Sequence, residues 1–138
     1  MEFTNLESVS TRIDYGLTES ATEKDTGHKF LRITDIREGK IDWGSVPFCE
    51  CSETDAEKYE LQDGDIVFAR IGSVGNTCLI KNDAPKGSVF ASYLIRIRPN
   101  KEVIDPEYLS YYFQTANYWK QIEVGAVGAI LGGLNATK

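Results

Sequence analysis

The sequence predicts an α+β fold: a compact, mostly antiparallel β domain, built as a twisted sheet or partial barrel, with flanking helices. Three observations predict it. Between Lys29 and Arg98, short runs of alternating apolar and polar residues are separated by Gly-, Pro- and Asp-bearing turn signals. The period becomes helical at "DPEYLSYYF" (105–113). A chain of 138 residues, 41% hydrophobic and 26% charged, fits one globular domain.

The elements follow in order. "NLESVSTRIDYG" (5–16) places Leu6, Val9 and Ile13 at helical spacing, with Gly16 to close the turn, and predicts a short helix. Residues 17–28 are polar and read as a loop. "KFLRITDI" (29–36) alternates as a strand does, Leu31 and Ile33 facing one way, Arg32 and Thr34 the other. "REGK" (37–40) is a turn and "IDWG" (41–44) a short return. The acidic stretch 50–60 holds one helical turn at "DAEKYE". Asp63-Gly64 is a turn signal. "DIVFARI" (65–71), rich in β-branched and aromatic residues, is a strand. "GSVGN" (72–76) breaks it and "TCLI" (77–80) returns, making a hairpin whose Gly72 and Gly75 supply positive φ. "NDAPKG" (82–87) is a loop. "SVFASYLIRIR" (88–98) reads as one long strand. Val89, Ala91, Tyr93, Ile95 and Ile97 share one face; Ser92, Leu94, Arg96 and Arg98 share the other. Asp105 then caps a helix with Pro106 at its first position, where the missing N–H costs nothing. Leu109, Tyr112, Phe113 and Ala116 form its apolar stripe, extended by Trp119 or Ile122.

A formal charge of −6 counts against a simple nucleic-acid binder. The charge is uneven, however. From Glu50 to Asp65 seven acids face one lysine, and from Ile66 to Lys101 six bases face one acid. These blocks are either ordinary solvated faces or the basis of a basic surface on an acidic protein. No apolar run approaches the ~18 residues of a membrane span. The polar, acidic start "MEFTNLESVS" is no secretory leader, so a cytoplasmic location and no membrane partner are expected. An odd set of cysteines, Cys49, Cys51 and Cys78, predicts free reduced thiols. Cys49-Glu50-Cys51 lacks the spacing of a zinc site with His28, and no metal is expected.

The catalytic patterns fail one by one. "GSVGN" has no lysine for a phosphate-binding loop and joins strands, where a dinucleotide fingerprint enters a helix and a KH-type clamp joins helices. The single histidine, His28, lies in a polar loop. "GDIVFARIG" resembles the strands of signal-peptidase-like barrels, and Ser73 with Lys81 is the nearest serine–lysine pair for a hydrolase of that kind. What remains are arginines and small polar side chains beside glycine turns: Arg32, Thr34, Arg70, Ser73, Asn76, Ser92 and Arg96. These types hydrogen-bond phosphates and base edges, so the residues alone indicate a binding module.

Six segments, "IDYGLT" (13–18), "KFLRITDI" (29–36), "EGKIDW" (38–43), "LQDGDIVFARIGSVGNTCLI" (61–80), "FASYLIRIRP" (90–99) and "DPEYLSYYF" (105–113), come in the order and spacing of a known family. From about Leu6 to Asn135 the chain resembles a target recognition domain of type I restriction-modification specificity subunits. The resemblance implies a non-enzymatic domain, spanning 1–138, that reads one half of a split double-stranded DNA target. It implies no cofactor of its own: methylation subunits flip out an adenine and methylate it with S-adenosylmethionine, and restriction subunits complete the assembly. The chain departs from the pattern in ending at "LNATK" without a spacer helix, and in an apolar "GAVGAILGGLNATK" where a Gln- or Asn-bearing loop is expected. A protein-interaction role, as a decoy half-subunit, is the further alternative.

The resemblance assigns DNA contact to Tyr15, Thr18, Arg32, Thr34, Arg70, Ser73, Asn76, Ser92 and Arg96. Tyr15 serves equally as a packing residue, and Arg32 as half of a salt bridge with a nearby carboxylate. Arg70 either holds phosphate or pairs with Asp65 or Asp35. Tyr93 is expected in the core, with Arg96 the contact residue of its strand. Trp119 is expected to anchor helix packing.

Overall fold

The computed structural model describes residues 10–69 and 77–113. Its centre is a four-stranded antiparallel sheet of β1 (Ser10–Tyr15), β10 (Leu94–Pro99), β7 (Ile66–Ala69) and β8 (Thr77–Leu79), in that order. Three two-stranded pairs surround it: β2 (Ala21–Thr22) with β6 (Phe48–Cys49), β3 (Phe30–Leu31) with β9 (Val89–Phe90), and β4 (Ile36–Arg37) with β5 (Lys40–Ile41). The β3–β9 pair is parallel and the other two are antiparallel. Helices α1 (Glu53–Tyr59) and α2 (Pro106–Tyr112) complete a mixed α+β fold. Among the described residues the strands do not close a barrel, and no helix is long and apolar enough to cross a membrane.

Alternation along the central strands sorts their side chains onto two faces. Ile66, Phe68, Ile95 and Ile97 meet Leu109 of α2 and Phe113 at its C-cap, with Ile13 and Tyr15 packed against them. The Phe68 and Phe113 rings meet edge to face at 4.7 Å. On the opposite face Val67, Cys78 and Leu94 pack against Leu31, Trp43, Val46, Leu61, Ile80 and Phe90. A third cluster, Leu17, Phe30, Cys49, Val89 and Ala91, is built on the β3–β9 pair.

Local sequence explains the boundaries. Ser52 caps α1 by accepting the Asp55 N–H at 3.1 Å, and Asp105 caps α2 by accepting that of Glu107 at 2.9 Å. Pro106 sits in the first turn, as expected. Glu38 and Gly39 both take positive φ, 53° and 72°, so "REGK" is the tight primed turn that suits a two-residue hairpin. Antiparallel β7 and β8 confirm the two strands of the second expected hairpin; its turn, 70–76, lies outside the described residues.

Three expectations are corrected. The helix over 5–16 is, within the described part, the strand β1. Its "RIDY" alternates with period two, Ile13 and Tyr15 facing the α2 core and Asp14 lying opposite Arg96, and β10 supplies the backbone partners. The strand over 29–36 stops at Leu31. Asp35 accepts the Arg32 backbone N–H at 2.9 Å, and the chain coils into a 3₁₀ turn, Ile33–Asp35. The strand over 88–98 is broken at Ser92-Tyr93, where Leu94 N–H bonds back to Ala91 at 3.0 Å. The register restarts there, so Tyr93 leaves the core and is 56% exposed.

The two charge blocks meet inside the molecule. Fully buried Asp65 accepts from Arg98 Nε at 2.8 Å and Nη2 at 3.0 Å. Fully buried Arg96 donates to Asp14, to Glu60 O at 2.7 Å and to Lys58 O at 2.9 Å. Arg98 Nη2 also donates to Glu60 O at 3.2 Å, so both arginines satisfy carbonyls at the α1 C-terminus, the negative end of its dipole. Arg96 also stacks over Phe90, 4.7 Å from the ring centre.

Candidate nucleic-acid interface

Gly16 follows β1 and leads the chain into the site. Its backbone runs so close to β9 that a Cβ there would strike the Ala91 carbonyl; only glycine fits. The close approach lets Leu17 N–H reach Phe90 O at 2.8 Å and brings Thr18 beside residues 91–93. Buried Leu17, Phe30 and Ala91, with half-buried Ile33, then floor a cleft of about 520 Å³. Thr18, Thr34 and Tyr93 stand exposed in its lining, joined by Arg32 and the half-buried Ser92.

A second cleft, of about 580 Å³, shares Arg32 and Thr34 with the first and adds Arg37, Lys40, Asp42 and Ser45. Its bases flank the β4–β5 turn. One surface therefore places an apolar hollow, rimmed by hydroxyls and Glu19, beside a cleft where Arg32, Arg37 and Lys40 outnumber Asp35 and Asp42. Hydroxyls and arginines are side chains that hydrogen-bond base edges, and arginines and lysines ones that hold phosphates.

Arg32 links the two clefts. Its Nε and Nη2 each lie 3.0 Å from a different oxygen of Asp35. The Arg32 side chain is 41% exposed while that of Asp35 is 6% exposed. The Asp35 hydrogen bonds push the Arg32 pKa up from its ordinary value, against the opposing effect of partial burial. The salt-bridge reading of Arg32 is realised, and the residue still faces the clefts.

Thr18, Arg32, Thr34 and Ser92 are thus brought together. Tyr15 is not among them: it packs half-buried against the α2 core. Arg96, expected to contact DNA, is corrected: it is 0% exposed, and Asp14 with the α1 carbonyls occupies its guanidinium. Arg70, Ser73 and Asn76 lie outside the described residues, as do Ala116, Trp119 and Ile122. Lys81, paired with Ser73 in the hydrolase alternative, is exposed just beyond β8. Sequence reasoning missed Tyr93, assigned to the core, and Arg37 and Lys40, read only as turn residues. A base on each side of a Glu-Gly turn was the available signal.

The three cysteines are free. Burial pushes the Cys49 thiol up to about 12 and that of Cys78 up to about 11, so both stay protonated at neutral pH.

The profile described as the type I restriction modification DNA specificity domain matches residues 18–131. The chain belongs to this family. It is 35% identical over 115 residues to the type I restriction enzyme EcoKI specificity subunit of Escherichia coli, covering 80% of this chain and 25% of that protein. It is 32% identical over 133 residues to a type I restriction enzyme MjaX specificity subunit of Methanocaldococcus jannaschii, covering 91% of this chain and 31% of the relative. The chain therefore spans between a quarter and a third of the length of these curated relatives. Among solved structures, the HsdS subunit from Thermoanaerobacter tengcongensis shares the fold, with a TM-score of 0.61 at 18% identity over 80% of this chain and 26% of that one. The specificity-domain match takes in most of the first cleft's lining, from Thr18 to Tyr93, and all of the second.

Proposed function

We propose that this chain is a DNA target recognition domain, one unit over residues 1–138, that reads one half of a bipartite double-stranded DNA target for a type I restriction-modification assembly. The central sheet and its surrounding strand pairs act as a partial barrel that presents the two clefts. Thr18, Arg32, Thr34, Ser92 and Tyr93 meet base edges, Arg37 and Lys40 meet phosphates, and Arg70, Ser73 and Asn76 extend the contact. The domain performs no chemistry itself. It works in the cytoplasm with methylation and restriction subunits, and methylation is carried out by its partner.

The observation that carries this reading is convergence. Four polar residues from three separate segments, Thr18, Arg32 with Thr34, and Ser92, line one cleft in a member of the specificity-domain family. The negative net charge of −6 accords with weak binding by the domain alone, with affinity completed by the other subunits. The test is methylome sequencing of cells that co-express the protein with a type I methylation subunit. The expected result is adenine methylation at one split motif; cells whose methylation is the same with and without the protein contradict the proposal.

A further inference from the structure

Arg32 and Asp35 form an asymmetric pair. Asp35 is consumed: its two oxygens take Arg32 Nε and Nη2, and Oδ2 also takes the Arg32 backbone N–H. The Asp35 N–H returns to Arg32 O at 3.0 Å, so both residues spring from one closed turn. The Asp35 side chain is 6% exposed and the Arg32 side chain 41% exposed, and Arg32 lines both clefts. Held on its Nε side, the guanidinium keeps its end-on edge, Nη1 with the second Nη2 proton, without a partner among the described residues. That edge is a planar pair of parallel N–H donors already fixed in orientation.

Resting on the DNA-recognition reading above, we infer that Arg32 is a specificity-determining residue that reads a guanine through O6 and N7 in the major groove, with Asp35 as its positioning residue. Guanine presents two acceptors side by side on that edge, and a bidentate arginine is the matching donor. Adenine offers an amino group where O6 would be, which two N–H donors cannot satisfy. The charge balance separates base from phosphate. Asp35 neutralises Arg32, so the pair carries little net charge to attract a phosphate, while Arg37 and Lys40 stand in the adjoining cleft for that purpose. A neutral base edge asks for geometry rather than charge, and geometry is what Asp35 supplies.

The experiment uses the protein assembled with a methylation subunit and duplexes carrying the motif found by methylome sequencing. Each guanine of the half-site is replaced in turn by 7-deazaguanine, which removes N7 and leaves Watson–Crick pairing intact. At one position the wild-type assembly is expected to bind roughly fivefold or more weaker. Arg32→Ala removes that discrimination, so that both duplexes bind alike, and Asp35→Asn diminishes it while binding to unrelated DNA is unchanged. A merely structural Asp35 would not alter the ratio between the two duplexes. The inference is overturned if no half-site guanine is sensitive to the replacement in the wild-type assembly, or if Arg32→Ala weakens every duplex equally and leaves the ratio intact. Both results leave DNA recognition standing. A wild-type assembly with no preference for its motif over unrelated DNA sinks the recognition reading, and this inference with it.

Discussion

Asp14 and Arg96 lie directly opposite one another on β1 and β10, and their side chains close a two-point ion pair, 3.0 Å from Nε and 2.7 Å from Nη2. Arg96 is fully buried, and Asp14 keeps only a fifth of its side chain in water. The pair clamps the edge strand to the sheet centre and fastens both to the end of α1.

Removing one partner is therefore costly. Asp14→Ala strands a buried guanidinium with carbonyl partners and a carboxylate 3.9 Å away. Urea denaturation of the chain is expected to show a loss of about 3 kcal/mol. The double change Asp14→Leu with Arg96→Met, which removes both charges, is expected to cost less than Asp14→Ala alone.

Gly16→Ala is expected to destabilise by about 1–3 kcal/mol, although alanine is a small residue. Its Cβ meets the Ala91 carbonyl, backbone that cannot swing aside as a side chain would. Because Leu17 and Ala91 floor the first cleft, the same variant should weaken DNA binding by the assembly. Thermal unfolding and a binding titration check the two effects separately.

The buried thiols make the fold sensitive to alkali. Cys49 and Cys78, raised to about 12 and about 11, stay protonated in the folded chain where the unfolded chain has already lost its protons. Their contribution to stability is whole below about pH 9 and is lost as pH rises toward those folded values, by at most about 1.4 kcal/mol per pH unit for each thiol. Urea midpoints at about pH 8 and about pH 10 are expected to fall further apart in the wild type than in Cys49→Ala/Cys78→Ala.

Arg37→Ala and Lys40→Ala should weaken binding to all DNA sequences alike. Each is expected to reduce the salt slope of the assembly's DNA affinity by about one, while the preferred motif stays the same. Titrations over a range of salt concentrations measure this.

The fold was legible where local chemistry and periodicity agreed. Asp105-Pro106 opens α2, Glu38-Gly39 turns a hairpin, and "IVFA" is the buried strand β7. It was misread where tertiary partners decided. Leu6, Val9 and Ile13 have helical spacing, yet "RIDY" pairs with β10 as a strand. Asp35 stops β3 through bonds to Arg32 that no periodicity announces. The candidate site was legible only as residue types, four of which, Thr18, Arg32, Thr34 and Ser92, share a cleft. Arg96 was not, because alternation distinguishes two faces without saying that both are covered. On β10 both are, and the arginine lies among Asp14, Phe90 and the end of α1.

The most direct test of the account is the methylome of cells carrying the protein and a type I methylation subunit, read for the wild type and for a variant with Arg32→Ala and Tyr93→Ala. The expected result is a split motif in the wild type and, in the variant, relaxed sequence in one half only. An identical motif in both, with the variant folded and assembled, would contradict it.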